Sequence, residues 1–242
     1  MEINYNLFHK YTSVQKKIIN KKDFTYRLIL EVLDKYIASI ATALDIGCGA
    51  GTLSLYLGSK GIKVLGVDIS INAIRASSST ARYLNLSEYV NFRVIDFPKQ
   101  YIAGRYNLIL LTEVIEHLKK DEYVLKKIKK MLDKNGLLFL SAPSKSAPLY
   151  RMGLLKKFDK KVGHLRRYSI DELCNKIERN GFNIIEVKKV EGILRNFLFT
   201  NSVAGKGIKF IKFIFSDSLT LIDNLLVYLF GESNFIIVAR KK

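Results

Sequence analysis

Cysteine and long apolar runs are both scarce in this sequence. Its 242 residues include two cysteines, Cys48 and Cys174, which form neither a disulfide framework nor a zinc-binding pattern. No window reaches the ~18 uninterrupted apolar residues of a membrane-spanning helix. The N-terminal residues also lack the apolar core of a signal peptide. We therefore expect a cytoplasmic protein in a reducing compartment.

Acidic residues are few relative to basic ones. The chain has 40 lysines and arginines against 22 acidic residues, and its formal net charge is +18. Such an excess favours an anionic partner, which could be nucleic acid, anionic lipid or a phosphorylated substrate. Lysines in residues 121–134 surround an apolar stripe, which is typical of an ordinary surface helix. Part of the charge is therefore explained by solvation alone.

Short apolar runs alternate with amphipathic segments, which predicts a single α/β domain over residues 1–242. We predict helices over residues 4–22, 24–40, 51–60, 70–85, 121–133 and 169–180, so that residues 1–40 are N-terminal helices. We predict strands over residues 41–46, 63–68, 90–95, 106–111, 136–142, 182–190 and 235–240. Asp23 is a predicted helix cap, Ser169 and Glu172 a predicted capping box, and Pro143 the end of the fifth strand. The expected fold is a Rossmann-like, seven-stranded, mostly parallel sheet with helices on both faces and an antiparallel last strand.

The most informative segment is a glycine-rich turn after the first strand. An apolar run ends in Asp45, three glycines follow at positions 47, 49 and 51, and the next apolar run ends in Asp68. This order is typical of the first half of a nucleotide-binding α/β unit. Glycine allows the backbone to approach a ligand closely. A carboxylate at the end of the second strand can accept both hydroxyl protons of a ribose.

The spacing separates this turn from the dinucleotide fingerprint. A G-x-G-x-x-G pattern that began at Gly47 would need glycine at position 52, where the chain has Thr52. Asp45 beside the turn would repel a pyrophosphate but suits an ammonium group. S-adenosylmethionine has both a ribose and an aminoacyl cation, so it fits the two acids. The alternative is a tight strand-to-helix turn that binds no ligand.

Four motifs occur in order within residues 41–143: Leu44-Asp-Ile-Gly-Cys-Gly-Ala-Gly51, Gly66-Val-Asp-Ile69, Val94-Ile-Asp-Phe97 and Leu110-Leu-Thr-Glu-Val-Ile-Glu-His117. In these motifs the chain resembles the class I S-adenosylmethionine-dependent methyltransferases. The resemblance implies that the first motif lines the methionine end, the second binds the ribose, the third the adenine and the fourth the sulfonium. The implied cofactor residues are Asp45, Gly47, Cys48, Gly49, Gly51, Asp68, Ile69, Asp96, Phe97, Thr112 and Glu113.

The segment from Glu113 to His117 follows the fourth strand, where ligands bind in open α/β sheets. Similar Glu-x-x-Glu-His sequences with a later histidine bind metal in the small-RNA 3′-terminal 2′-O-methyltransferases and in ubiquinone-biosynthesis O-methyltransferases. This resemblance implies a divalent metal, Mg, Mn or Zn, held by Glu113, Glu116, His117 and His164. A metal would lower the pKa of an acceptor hydroxyl. His117 or His164 could instead act alone as the catalytic base, or all four residues could be structural.

Arginines after the fifth strand are candidates for substrate binding. Arg166 and Arg167 could grip a carboxylate or phosphate through two hydrogen bonds, with Tyr168 beside them. One of the arginines could instead pair with an acid such as Asp171.

An apolar and basic helical insertion is predicted over residues 191–233, before the last strand. Lysines alternate with isoleucine and phenylalanine between Lys206 and Phe215, and an apolar segment follows over 219–230. The pattern favours peripheral membrane contact through 206–230 or a lipid-like substrate. A cap over the core or a dimer interface would explain it as well.

We therefore expect O-methylation of a small or lipid-linked acceptor, such as a phenol or a sugar hydroxyl. The alternatives are an RNA 2′-O-methyltransferase with a divalent metal and a cofactor-binding protein without catalytic activity. RNA is the less favoured partner, because the sequence shows no compact basic and aromatic patch.

Overall fold

The computed structural model contains one seven-stranded sheet, and it describes Asn6, His9, residues 12–201 and residues 216–242. The strands are β1 (Thr42–Ile46), β2 (Lys63–Asp68), β3 (Val90–Val94), β4 (Tyr106–Thr112), β5 (Leu132–Pro143), β6 (Phe182–Val190) and β7 (Asn234–Lys241). Their order across the sheet is β3-β2-β1-β4-β5-β7-β6. Neighbouring strands are parallel except for β7, which is antiparallel to both β5 and β6. The predicted fold class, including the antiparallel last strand, is confirmed.

Helices connect the strands and flank the sheet. They are α1 (Arg27–Leu33), α2 (Thr52–Gly58), α3 (Ile71–Tyr83), α4 (Asp121–Met131), α5 (Pro148–Arg151), α6 (Lys156–Val162), α7 (Ile170–Arg179), α8 (Ile193–Thr200) and α9 (Ser216–Phe230). Short 3₁₀ turns occur at Ile37–Ser39 and Ile115–His117.

The apolar core is divided into two clusters, one on each face of the sheet, because successive strand residues point to opposite sides. In β1, Leu44 and Ile46 belong to one cluster and Ala43 to the other. Helices α4 and α7 cover the first cluster, and α1, α2 and α3 cover the second. Both faces of the central strands are therefore buried, and their carboxyl ends remain available for a ligand.

The prediction of N-terminal helices over residues 1–40 is largely wrong for the described part. Residues 12–22 contain no helix, because this segment is held to other elements by Gln15, which bonds Thr80, Ala50 and Thr52. The second predicted helix is limited to α1 and the turn at Ile37–Ser39. Asp23 does not cap α1, which begins after Tyr26, and the Tyr26 side chain makes no capping hydrogen bond. The Asp23 carboxylate accepts a hydrogen bond from the Thr25 amide in the preceding turn.

Two further local predictions need correction. β5 continues through Pro143, which pairs with Asn234 of β7. The capping box at α7 is only half formed. The Ser169 hydroxyl accepts a hydrogen bond from the Glu172 amide at 3.2 Å, but the Glu172 carboxylate binds Lys145 at 2.6 Å instead of turning back to Ser169.

Within the predicted insertion over 191–233, the structure describes α8 and α9, which pack on each other. The lysine-containing segment from Lys206 to Phe215 lies outside the described residues. Among the helices that are described, none combines the length and apolar character needed to cross a bilayer.

Candidate functional site

A cavity of about 570 Å³ lies at the carboxyl ends of β1, β4 and β5. Its wall includes the glycine turn, the end of β4, residues of α6 and α8, and the start of β7. In open α/β sheets this edge is where ligands bind. The cavity therefore joins most of the segments that the sequence singled out.

The glycine turn forms the floor of one end of this cavity. The amides of Gly47 and Cys48 both donate to the Val67 carbonyl, at 2.8 and 3.0 Å, so the turn is tied to β2. Gly47 has φ of +72°, and a Cβ there would lie 2.4 Å from a methyl group of Val114. Only glycine combines this backbone conformation with this close approach. Burial raises the pKa of the neighbouring Cys48 thiol, so it stays neutral.

Asp45 is a buried acid with an unused oxygen. Its Oδ2 accepts a hydrogen bond from the Ser54 hydroxyl at 2.6 Å, while its Oδ1 has no hydrogen-bond partner among the described residues. Burial raises the pKa of Asp45, and the hydrogen bond from Ser54 lowers it. The nearby charge of Asp68 raises it again, so that the pKa of Asp45 is about 6. Because Asp45 also lines the cavity, it can offer a carboxylate oxygen to a cationic ligand.

Asp68 links the turn to the next helix. Its Oδ2 accepts from the Gly49 amide at 2.9 Å and its Oδ1 from the Ser70 amide at 2.8 Å. Each oxygen keeps a second lone pair, so Asp68 can still accept from a ribose hydroxyl.

The ribose-binding candidate Asp68 and the adenine-binding candidates are not among the residues that line the cavity. Ile69 is exposed, and Phe97 packs partly against the core. The Asp96 carboxylate forms an ion pair with Lys99 at 2.8 Å. Gly51, the last turn glycine, is the residue before α2 and does not line the cavity.

Sequence reasoning missed the N-terminal segment as part of this site. His9 lines the cavity, and its ring lies 3.6 Å from where a Cβ of Gly49 would be. Gln15 donates to the Ala50 carbonyl at 3.2 Å and to the Thr52 hydroxyl at 2.7 Å. No motif marks these residues, because their role depends on contacts with a turn far along the chain.

Thr112 ends β4, Glu113 follows it, and both line the cavity. Glu113 has φ of +54°. Its Oε1 accepts hydrogen bonds from Ser141 of β5 at 2.7 Å and from Asn234 of β7 at 2.8 Å. The sequence did not indicate either partner. These bonds hold the Glu113 carboxylate against the neighbouring strands.

Glu116, His117 and His164 form a second polar group, which we name the His–Glu cluster. Glu116 is fully buried, and neither of its carboxylate oxygens has a hydrogen-bond partner from another described residue. Its Oε1 lies 3.7 Å from Nε2 of His164 and 4.0 Å from Nε2 of His117. The candidate ligand atoms all lie within 4.8 Å of one another. Glu113, the fourth predicted ligand, is not in this group. Its Oε1 accepts hydrogen bonds from Ser141 and Asn234 instead.

The two imidazoles of the cluster are oriented through their Nδ1 atoms. Nδ1 of His117 lies 3.0 Å from the Gly163 carbonyl oxygen, and Nδ1 of His164 lies 3.0 Å from an Asp159 carboxylate oxygen. The Gly163 carbonyl oxygen can only accept a hydrogen bond. Burial raises the pKa of Asp159, but hydrogen bonds from His164 and Arg167 outweigh it and lower the pKa to about 2, so the Asp159 carboxylate is an acceptor as well. Each Nδ1 is therefore a donor, and a neutral ring carries its lone pair on Nε2.

Burial within the cluster favours a neutral His117 ring and opposes ionisation of the Glu116 carboxyl. Burial, followed by the nearby charge of Glu113, raises the pKa of Glu116 well above its usual value. Burial and the neighbouring His164 lower the pKa of His117. A buried carboxylate that faces imidazole lone pairs is stabilised by a cation placed between them.

The predicted substrate-binding residues are engaged in internal contacts. Arg167 donates two hydrogen bonds to Asp159, at 2.6 and 2.9 Å, which fix the position of its side chain. Arg167 lines the cavity in this position. Arg166 and the hydroxyl of the buried Tyr168 both bind Asp121, not Asp171. Arg166 and Tyr168 therefore do not reach the cavity wall.

A family model described as a methyltransferase domain matches residues 19–187 of the chain. The chain belongs to this methyltransferase family. Together with the fold, this membership confirms the class I S-adenosylmethionine-dependent methyltransferase architecture that the motifs predicted.

Curated relatives match over part of their length. The ubiquinone biosynthesis O-methyltransferase of Glaesserella parasuis serovar 5 (strain SH0165) is 32% identical over 114 residues, which are 45% of this chain and 48% of that protein. The (S)-coclaurine N-methyltransferase of Thalictrum flavum subsp. glaucum is 36% identical over 101 residues, or 41% of this chain and 28% of that protein. The chain thus spans about half or less of the length of these relatives.

Solved structures share the fold at low identity. Magnesium protoporphyrin IX methyltransferase from Synechocystis PCC 6803, with bound SAH, has a TM-score of 0.61 at 16% identity, and the match covers 98% of this chain and 94% of that one. Haemonchus contortus phosphoethanolamine N-methyltransferase 2, in complex with S-adenosyl-L-methionine, has a TM-score of 0.65 at 17% identity, with 90% of this chain and 52% of that one covered.

The family and the fold both support S-adenosylmethionine as the cofactor of this methyltransferase domain. The cavity wall contains Asp45, Gly47, Cys48, Gly49, Thr112 and Glu113 from the implied cofactor set, together with His164 and Arg167. The role of each residue toward the cofactor stays a prediction.

Proposed function

We propose that this methyltransferase transfers the methyl group of S-adenosylmethionine to an oxygen atom of a small or lipid-linked acceptor. The observation that carries the proposal is the His–Glu cluster, whose His164 lines the same cavity as the glycine turn. A hydroxyl acceptor must lose its proton as the new bond to carbon forms. The cluster can supply a group that removes this proton or favours its loss.

The chemistry requires alignment more than activation. The sulfonium already makes the methyl group a good electrophile, so the acceptor oxygen attacks carbon in line while the sulfur leaves as a thioether. A neutral imidazole with its lone pair on Nε2 can accept the hydroxyl proton. The lowered pKa of His117 keeps this ring unprotonated near neutral pH.

The cluster also fits a divalent metal. Glu116 would supply an oxygen ligand, and His117 and His164 would supply nitrogen ligands, a set typical of Zn or another borderline cation. The Gly163 carbonyl and Asp159 bind the far nitrogen of each ring, as the groups that orient histidine ligands do at metal sites. A bound metal would lower the pKa of the acceptor hydroxyl.

The outer face of α9 supports a lipid-linked acceptor. Leu221, Leu225 and Tyr228 recur at helical spacing and are exposed. We define the α9 apolar face as Leu221, Ile222, Leu225, Tyr228 and Leu229. Helix α8 packs on α9, and its exposed Phe199 also lines the cavity. An apolar surface that adjoins a cavity mouth suits an interfacial substrate.

Cofactor binding and transfer can be measured separately. Calorimetry with S-adenosylmethionine should show binding, and Asp45→Asn should weaken it by about tenfold to a hundredfold, because a charged hydrogen bond contributes about 1.5–3 kcal/mol. Asp171→Asn, on the exposed side of α7, is the matched control. Methyl-labelled cofactor incubated with a cell extract should label a lipid-phase product. Label confined to RNA would contradict the proposed acceptor, and binding without any transfer would indicate a cofactor-binding protein.

The metal is tested by chelation and by one substitution in the cluster. If a metal takes part, chelator abolishes transfer, divalent metal restores it, and Glu116→Gln binds the metal more weakly in calorimetry. Glu122→Gln, an exposed acid on α4, should behave like the unmodified protein. Full transfer in chelator would leave His117 or His164 as the base acting without metal.

A further inference from the structure

A second group of polar side chains lines the cavity where β6 ends and β7 begins. Glu191 follows β6 with φ of +58°, and its carbonyl accepts a hydrogen bond from the Ser233 amide at 2.6 Å. Asn196 of α8 and Asn234 of β7 also line the cavity. Both lie near Glu191 in the fold, because the Asn196 amide donates to the Gly192 carbonyl at 3.1 Å and Asn234 pairs with Val190. These residues lie outside the four cofactor motifs, and nothing in the proposed reaction uses them.

Both asparagines present oxygen atoms without partners. Asn196 and Asn234 are 8% and 9% exposed, and the Oδ1 atom of each is buried with no hydrogen-bond partner among the described residues. The orientation of Asn234 is fixed, because its Nδ2 donates to Glu113 at 2.8 Å. Its Oδ1 therefore remains an acceptor, and an unsatisfied buried acceptor is destabilising unless a ligand donates to it.

Within the described part of the chain, one buried cation acts on the charge of Glu191 without forming an ion pair with it. This cation is Arg195, whose Nε lies 3.5 Å from Asp223 and whose other nitrogens donate to Thr220 and to the Phe24 carbonyl. Asp223 in turn accepts from the amides of Gly192 and Arg195. The Nε atom of Arg195 has no hydrogen-bond partner among the described residues, so its contacts with Asp223 do not satisfy it fully. Burial raises the pKa of Glu191 to about 8, with the charge of Glu113 adding to the rise and the charge of Arg195 only partly opposing it.

Two basic side chains that line the cavity elsewhere are held by other acids. Arg167 is bound twice by Asp159, and His164 contacts Asp159 and Glu116. The wall near Glu191 thus offers a carboxyl group and two amide oxygens without partners among the described residues, and the carboxyl becomes a third acceptor when it gives up its proton. An ammonium group matches this set, since it donates up to three hydrogen bonds and supplies the missing positive charge. A hydroxyl donates one hydrogen bond and carries no charge.

We propose that Glu191, Asn196 and Asn234 form a subsite that binds a protonated amine carried by the methyl acceptor. The inference rests on the proposed methyltransferase function and narrows its substrate class. The acceptor would have a nucleophilic oxygen at the His–Glu cluster and an ammonium group at Glu191. In this arrangement Glu191 selects and positions the acceptor and takes no part in proton removal.

The test uses two probes that differ only in the ammonium group, tyramine and 4-ethylphenol. Protein saturated with S-adenosylhomocysteine should bind tyramine about tenfold or more tightly than 4-ethylphenol in calorimetry. Glu191→Gln should abolish this preference, whereas Glu178→Gln, an exposed acid on α7, should retain it. Equal affinity for the two probes, a preference unchanged in Glu191→Gln, or no binding of tyramine at millimolar concentration would each overturn the proposal.

Two further measurements separate this subsite from the cofactor site. Tyramine should lower the pKa of the Glu191 carboxyl, followed by carbon NMR and assigned by its absence in Glu191→Gln. The affinity for S-adenosylmethionine should be the same in Glu191→Gln and the unmodified protein. A large loss of cofactor affinity would place Glu191 at the cofactor and overturn the acceptor subsite. Failure of the unmodified protein to bind any cofactor would instead contradict the proposed function itself.

Discussion

At the scale of single residues, Gly51 combines a left-handed backbone with almost no space for a side chain. Its φ is +76°, and a Cβ would lie 2.5 Å from the Phe92 ring. Gly61 has φ of +83° but open space where a Cβ would be. Gly61→Ala should therefore lose about 1–2 kcal/mol from backbone strain alone. Gly51→Ala should lose a further 1–3 kcal/mol, roughly, from overpacking.

Urea unfolding of the two variants measures this difference directly. A larger loss for Gly51→Ala would show that the approach of Phe92 is what excludes side chains at the turn. Equal losses would mean that the Phe92 ring moves aside at little cost, and that only the backbone conformation requires glycine.

Glu191 makes stability depend on pH. In the unfolded chain its carboxyl ionises near the usual value of 4.5, whereas the folded protein holds the proton up to a pKa of about 8. The folded state therefore binds more protons between these values, and stability falls as pH rises through this window. Gln cannot ionise, so Glu191→Gln should become progressively more stable than the unmodified protein from pH 5 to pH 8, roughly the interval between the two pKa values.

Urea unfolding at several pH values checks this prediction, with Glu178→Gln as the control that should show a flat difference. A difference that stays constant for Glu191→Gln would indicate that the carboxyl ionises in the folded protein as it does in the unfolded chain.

The residues that could be predicted from the sequence are those whose role is local. Asp45 and the turn glycines lie within one short motif, and Glu116 and His117 are neighbours. Glu191 and Asn234 belong to the cavity because β6 and β7 pair, and the bond from Asn234 to Glu113 joins residues far apart in sequence. No spacing in a single sequence indicates such a contact.

At the scale of elements, the start of α7 shows that a side chain of a correctly predicted motif can bind a partner outside the motif. The Ser169 hydroxyl caps the helix, but the Glu172 carboxylate binds Lys145. Ser169→Ala should therefore cost about 1 kcal/mol. Glu172→Ala should cost less, roughly 0–1 kcal/mol, because it removes only a largely exposed ion pair.

Thermal or urea unfolding of these two variants distinguishes the observed cap from a complete capping box. In a complete box both side chains satisfy backbone amides, and the two losses would be similar. Similar losses would therefore contradict the pairing of Glu172 with Lys145.

Element boundaries were least predictable where tertiary contacts replace local hydrogen bonds. Residues 12–22 carry a mixed polar pattern compatible with a helix, yet Gln15 bonds to α3 and to the start of α2. The central strands were predictable because burial on both faces imposes continuous apolar runs. β5 is longer than its apolar run, since its first residues include Asp133 and Lys134.

At the scale of the whole molecule, the order of the strands follows from general rules, whereas the exposure of apolar residues on the surface does not. Alternating strands and helices with right-handed crossovers leave few arrangements of a parallel sheet. The same rules place the strand ends, and hence the cavity, at one edge. The α9 apolar face has no such constraint, because exposure of leucines on a helix depends on what the helix packs against.

Charge and the α9 apolar face together predict association of the whole protein with a bilayer. A chain of net charge +18 should be attracted to anionic vesicles, and the α9 apolar face should then insert at the headgroup boundary. Leu221→Gln combined with Leu225→Gln should weaken binding to phosphatidylglycerol vesicles by about tenfold or more, because it removes two large apolar side chains from the contact. Tyr101→Gln, which changes a large side chain after β3 that is even more exposed, should have little effect.

Vesicle co-sedimentation measures both contributions. Added salt should weaken binding of every variant, since it screens the charge attraction, whereas the loss caused by the double substitution should persist at high salt. If the double variant binds as tightly as the unmodified protein, attraction is purely electrostatic and α9 does not insert. The acceptor would then have to reach the cavity from solution, and a small water-soluble amine would fit the Glu191 subsite better than a lipid-linked one.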